Sequence, residues 1–184
     1  MGCWNQDSYL KAWNFASLAH QGQVLHTSDL PYINHIGLVT MEVLSAIPLD
    51  KEPLIDQPDM MVQCALLHDT LEDTAVDYQE IKEHFGQGVA DGVLALTKNA
   101  QLETKALQMQ DSLARILQQP KVVWMVKLAD RITNLQPPPP HWDLEKKLYY
   151  ADEAGLIMQT LGSANPQLKQ RLAHKIEQYQ VHLS

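Results

Sequence analysis

Hydrophobic residues along the chain fall into runs that repeat every three to four positions, the spacing of a helix with one buried face. Between Asp7 and His20, the residues Tyr9, Leu10, Trp13, Phe15, Ala16 and Leu18 keep mostly to that spacing until Gly22 breaks it. The stretch His26–Leu30 reads as a loop, and Pro31 with Tyr32 opens a second helix through about Leu44. Proline suits a first turn because its missing N–H is not needed there. Pro48, Pro53 and Pro58 bound another loop, and a third helix runs from about Met60 to His68 before the acidic segment Asp69–Thr74. Asp77 followed by Glu80 has the form of a capping box, opening a short helix that stops at Gly86. Further helices are expected at Val89–Thr97, Leu102–Gln118, Val122–Leu135, Leu144–Leu161 and Pro166–Val181. No stretch holds a convincing period of two, so the expected fold class is all-α with little or no sheet. The run Pro137–Pro140 is expected to form a rigid surface break before the last two helices. Neither an internal repeat nor a linker divides residues 1–184, which fit one helical domain.

Composition narrows the class. With 45% hydrophobic residues the chain can bury a core. Its two cysteines, Cys3 and Cys64, make no disulfide framework, which points to a reducing, cytoplasmic setting. No basic segment leads into an apolar one at the start, and no run approaches the roughly 20 apolar residues of a membrane span. A net charge of −8 argues against a nucleic acid polymer as partner, yet it leaves room for a small anionic substrate drawn in by local cations. The sequence leaves the oligomeric state open, a homo-oligomer included.

Three segments carry chemistry. In Cys64-Ala-Leu-Leu-His68-Asp69-Thr-Leu-Glu72-Asp73-Thr, an apolar helix runs into a histidine and three carboxylates. Gathering those groups is costly unless a positive charge compensates them, and mixed imidazole and carboxylate ligands suit Mn, Fe or a related divalent ion. The blander account is a helix end followed by a solvated acidic turn. In Val122–Leu135, the residues Lys127, Asp130 and Asn134 lie at i, i+3 and i+7 and share one stripe of an otherwise apolar helix. Asp130 is there either a ligand or a simple ion-pair partner of Lys127. The third segment, Pro31-Tyr-Ile-Asn-His35, puts a histidine at the start of an apolar helix. Alone, such a histidine is more often a hydrogen-bonded core residue than a ligand.

Taken together, the stretches Ala19–Gln23 (AHQGQ), Pro31–His35, Ala65–Thr74 (ALLHDTLEDT), His84–Gly86 and Val126–Leu135 (VKLADRITNL) resemble the HD superfamily of metal phosphohydrolases. Within it, they look like the hydrolase domain of RelA/SpoT-type alarmone enzymes and their small stand-alone relatives. The resemblance implies a helical HD-type domain with a metal site in its core. It also implies one divalent ion, with Mn²⁺ expected, and removal of the 3′-pyrophosphate from an alarmone nucleotide. Carried over position by position, His35, His68, Asp69 and Asp130 match the metal ligands, and Glu72 with Asp73 match the acidic pair assigned to catalysis. Asn134 matches a substrate-contacting residue. Lys98 lies near a family lysine that meets phosphate, and Tyr149 lies where small relatives place a tyrosine near the nucleoside. Lys127 and Arg131 are further candidates for neutralising phosphate.

The match departs from the family pattern after Gln23. RelA/SpoT-type domains continue with an arginine against the guanine base, whereas this chain has Val24, Leu25 and His26. His26 is a partial substitute for a guanidinium at a purine face. Both (p)ppGpp and (p)ppApp therefore stand as expected substrates. The residue after His35 is Ile36 where the family usually has proline, and no synthetase pattern follows the hydrolase one. Competing readings are another HD phosphohydrolase, such as a 5′-nucleotidase or phosphodiesterase, and a non-catalytic sensor of metal and nucleotide.

Overall fold

The computed structural model describes residues 4–25, 28–47 and 56–183. Cys3, His26, Pro48 and Pro53, which the sequence reading singled out, lie outside the described residues. Among those described, ten α-helices follow one another with no β-strand, and the one β-bridge joins Val24 to Pro31. The helices are α1 (Gln6–Ala19), α2 (Ile33–Ser45), α3 (Pro58–Leu67), α4 (Thr70–Asp73), α5 (Tyr78–Phe85), α6 (Gln87–Leu96), α7 (Lys105–Ile116), α8 (Lys121–Asn134), α9 (Leu144–Leu161) and α10 (Pro166–Tyr179). This is the all-α fold that the hydrophobic periodicity predicts.

Side-chain caps set five of the ten α-helix starts. Asn5 accepts from the backbone of Asp7 and Ser8 to start α1, and Asn165 accepts from Leu168 to start α10. Asp77 and Glu80 form the expected capping box, and α5 ends at Gly86, whose φ of 87° favours glycine. Several expected boundaries move, three of them at helix starts with a local cause. The second helix begins at Ile33 rather than Pro31, because Pro31 is held in the bridge to Val24. The third begins at Pro58 rather than Met60, with the proline in the first turn where it costs no hydrogen bond. The seventh begins at Lys105 rather than Leu102, because the Thr104 hydroxyl accepts from the Leu107 N–H.

Helix α8 is the axis of the molecule. Eleven of its residues, from Val122 to Thr133, are buried, and it packs against α2, α3, α6, α9 and α10. A helix apolar on nearly every side belongs inside, and the core closes around Val126, Leu128, Ala129 and Ile132. That position also buries Lys127, Asp130 and Arg131, so each of the three needs a partner within the protein. Helices α2 and α3 lie against α8 and against each other, which brings their histidines to Asp130.

Candidate metal centre

His35 sits in the first turn of α2, at the head of a buried stripe with Ile36, Val39 and Val43. His68 closes the apolar helix α3, and its Nδ1 donates to the Ala65 carbonyl at 2.9 Å. That bond places a proton on Nδ1 and leaves the Nε2 lone pair of the neutral ring facing inward. The chain then turns tightly into α4, where the Thr70 hydroxyl donates to the Leu67 carbonyl at 2.6 Å and that of Thr74 donates to the Thr70 carbonyl at 2.7 Å. Asp69 precedes α4 without capping it, so its carboxylate is free to face the histidines.

The four groups converge. His35 Nε2 and His68 Nε2 lie 3.3 Å apart, and Asp69 Oδ2 is 3.0 Å from His68 Nε2 and 3.4 Å from His35 Nε2. Asp130 Oδ1 lies 3.5 Å from His35 Nε2 and 3.9 Å from His68 Nε2. Ligand atoms of His35, His68 and Asp130 all fall within 4.8 Å of one another, at buried positions. Ligands about 2.1 Å from one ion stand roughly 3 Å apart when adjacent and roughly 4.2 Å apart when opposite. The observed separations, 3.0–3.9 Å, fall within that range, and two nitrogens with two carboxylate oxygens form a donor set for a divalent transition ion. The residues fit the metal that the fold implies.

Electrostatics agree with a site built for positive charge. Burial disfavours an imidazolium at His35, but hydrogen bonds to Asp130 and Asp69 outweigh it and push the ring up to about 9. Burial would raise Asp130, yet Lys127 and His35 hold it well below the usual carboxylate range. Asp69 is lowered in the same way by His68 and His35 against burial. Lys127 Nζ donates to Asp130 Oδ2 at 2.9 Å, and Asn134 Nδ2 donates to Asp130 Oδ1 at 2.5 Å. Both carboxylate oxygens of Asp130 are thus oriented by side chains of its own helix.

Around this cluster opens a cleft of about 970 Å³. His35, His68, Asp69, Asp130, Glu72, Asp73, Asn134, Lys98, Tyr149, Lys127 and Arg131 all line it, whereas His26 lies outside the described residues. Their partners differ from what spacing alone suggests. Glu72 accepts from both the backbone N–H of Lys98 at 3.0 Å and its Nζ at 3.1 Å. Arg131 pairs with Glu153 on α9 and lies over the Tyr150 ring at 4.5 Å, while its Nε and Nη1 have no hydrogen-bond partner. The Tyr149 hydroxyl donates to Glu153 Oε2 at 3.3 Å. Burial first, then the Asp69 and Glu72 carboxylates, raise Asp73.

Sequence reasoning passed over Tyr32, Gln23 and Glu153. The Tyr32 hydroxyl lies 2.6 Å from Asp69 Oδ2 and 3.3 Å from Asp73 Oδ2, and Gln23 Nε2 donates to the Asp73 carbonyl at 2.6 Å. For Tyr32 a signal existed, because it precedes His35 by three positions and so faces the same side one turn earlier. Glu153 carried none beyond its place on an expected helix.

Comparison with known proteins settles the family. The family model described as HD domain matches residues 12–167, most of the chain. The chain belongs to the HD domain family. Within that family, it is 34% identical over 174 residues to the guanosine-3′,5′-bis(diphosphate) 3′-pyrophosphohydrolase MESH1 of Xenopus tropicalis, covering 90% of each chain. The protein of Aquifex aeolicus named guanosine-3′,5′-bis(diphosphate) 3′-pyrophosphohydrolase is 37% identical over 129 residues; 68% of this chain is matched, spanning 17% of that longer protein. The solved structure of a metazoan ortholog of SpoT superposes with a TM-score of 0.79 at 23% identity, covering 96% of this chain and 97% of the other, which shows the shared fold.

Proposed function

We propose that the protein removes the 3′-pyrophosphate from an alarmone nucleotide, (p)ppGpp or (p)ppApp, with Mn²⁺ as its ion. The observation that carries this reading is the buried His35–His68–Asp130 cluster with Asp69, set beside the paired carboxylates Glu72 and Asp73 in a single cleft. The small relative named as a guanosine-3′,5′-bis(diphosphate) 3′-pyrophosphohydrolase matches nearly end to end and supports the same substrate class.

His35, His68, Asp69 and Asp130 hold the ion. When bound, a divalent cation offsets charge on phosphoryl oxygens and makes water a better nucleophile near neutral pH. The protein's own part is to position and to move protons. Water attacks the phosphorus attached to the 3′ oxygen, the bond between them breaks, and pyrophosphate leaves with a free 3′-hydroxyl on the nucleoside. Glu72 and Asp73 orient the water and pass its proton toward the leaving oxygen, acting as a coupled pair. Lys98, which holds Glu72, lies on the wall of the cleft where it also meets phosphate, with Asn134, Tyr149, Lys127 and Arg131 completing the substrate's surroundings.

Turnover of ppGpp in ¹⁸O-labelled water tests the reaction. Attack at the 3′-linked phosphorus places the label in pyrophosphate and none in the nucleoside product. Label on the nucleoside, or release of 5′-phosphate instead, would contradict the proposal and favour a 5′-nucleotidase.

A further inference from the structure

We propose that Tyr32 is a positioning residue that ties the metal-site carboxylate Asp69 to Asp73, a role that rests on the hydrolase reading above. Among the carboxylates that line the cleft, the four beside the metal cluster, Asp69, Glu72, Asp73 and Asp130, are each held differently. Asp130 receives hydrogen bonds from Lys127 and Asn134, Glu72 receives two from Lys98, and Asp69 faces two imidazoles. The Asp73 carboxylate has one hydrogen-bond donor among the described residues, the Tyr32 hydroxyl. A short side chain at an exposed turn samples several rotamers unless something fixes it.

Tyr32 is itself fixed. Its backbone N–H donates to the Gln23 carbonyl at 2.9 Å, and its ring lies 5.0 Å from that of His20 and 5.4 Å from that of His35. Gln23 in turn donates to the Asp73 carbonyl at 2.6 Å and accepts from His20 Nδ1 at 2.7 Å, where His20 is buried. The connection between α1 and α2 therefore holds Asp73 at two points, its carbonyl through Gln23 and its carboxylate through Tyr32. A hydroxyl has one proton, which the two carboxylates share as a three-centre bond, the 2.6 Å contact to Asp69 Oδ2 the stronger arm and the 3.3 Å contact to Asp73 Oδ2 the weaker. One side chain thereby sets the spacing between a ligand and a proton-handling group.

Tyr32→Phe keeps the ring and its packing and removes the hydroxyl alone. It is measured by calorimetric Mn²⁺ titration, and by turnover of ppGpp at saturating Mn²⁺ beside Asp73→Asn and the double variant. Mn²⁺ affinity is expected to fall roughly tenfold through the loosened Asp69. At saturating Mn²⁺, kcat is expected to remain roughly tenfold low with KM unchanged, the size of one hydrogen bond to a charged group, and the double variant to be no slower than Asp73→Asn. Unchanged Mn²⁺ affinity, full recovery of kcat at saturating Mn²⁺, or multiplying losses in the double variant each overturn the tie. Gln23→Ala cuts the same bracket from its other side, so a Tyr32→Phe protein that melts leaves a second test: kcat must fall, and an unaffected kcat overturns the proposal. A silent wild type fails the hydrolase reading and takes this role with it, whereas an active wild type equalled by Tyr32→Phe fails this role alone.

Discussion

Replacing Lys127 by Met removes the cation that Asp130 faces while keeping a chain of similar length in the core. The two side chains are 7% and 10% exposed, and Nζ lies 2.9 Å from Oδ2. At an effective dielectric constant of about 20, the gross attraction is about 6 kcal/mol, and removing one partner of a buried pair typically costs about 3–5 kcal/mol. Asn134 and the two histidines still face Asp130, so the lower end, about 3 kcal/mol, is expected. For a chain of this size that corresponds to a Tm lower by about 6–12 °C. Scanning calorimetry of metal-free protein reads it directly. Saturating Mn²⁺ should shrink the deficit, because the ion supplies the positive charge that Asp130 has lost. The pH dependence has a definite sign. A carboxylate held below its usual range contributes stability above its unfolded value, near 4, and loses it as pH falls through the folded value. The gap between wild type and Lys127→Met should therefore narrow on acidification below about pH 4. A metal-free Tm within about 2 °C of wild type at neutral pH would refute the reasoning.

Three further outcomes follow from the same geometry. Glu72→Gln combined with Asp73→Asn should keep Mn²⁺ bound by calorimetry while turnover falls by about 10²–10⁴, and retained turnover removes both from the chemistry. In metal-free protein His35 is pushed up to about 9, so the ion must displace a proton; Mn²⁺ affinity should weaken by up to about tenfold per unit as pH falls from 8 to 6, and a flat profile contradicts that competition. Glu153→Gln leaves the Arg131 guanidinium buried without its charged partner and should cost about 3 kcal/mol in urea unfolding, less what the Tyr150 ring beneath it offsets. A change under about 1 kcal/mol would show that the pair holds α8 and α9 together weakly.

Local signals were legible in the sequence and long-range ones were not. The capping box at Asp77 and Glu80 and the whole of α9, Leu144–Leu161, could be read because each depends on residues a few positions apart. The stripe Lys127–Asp130–Asn134 was visible for the same reason, and its ion-pair alternative is present: Lys127 does bind Asp130, on the carboxylate oxygen opposite the one nearest the histidines. Choice of partner across the fold left no periodic trace. Tyr32 meets Asp69 across 37 positions, Gln23 meets Asp73 across 50, and Arg131 meets Glu153 across 22. These contacts arise from how α2, α4, α8 and α9 pack, which depends on shape in three dimensions. The boundary errors have local causes of another kind, since Pro31 and Pro58 suit either a loop or a first turn until the neighbouring chain is placed.

The most direct test of the account is pyrophosphate release from ppGpp and ppApp, assayed side by side with and without Mn²⁺, and with Asp130→Ala as control. Mn²⁺-dependent release is expected from at least one of the two, abolished in Asp130→Ala. Calorimetrically confirmed Mn²⁺ binding with release from neither nucleotide would contradict it, leaving the metal cluster standing without its proposed substrate.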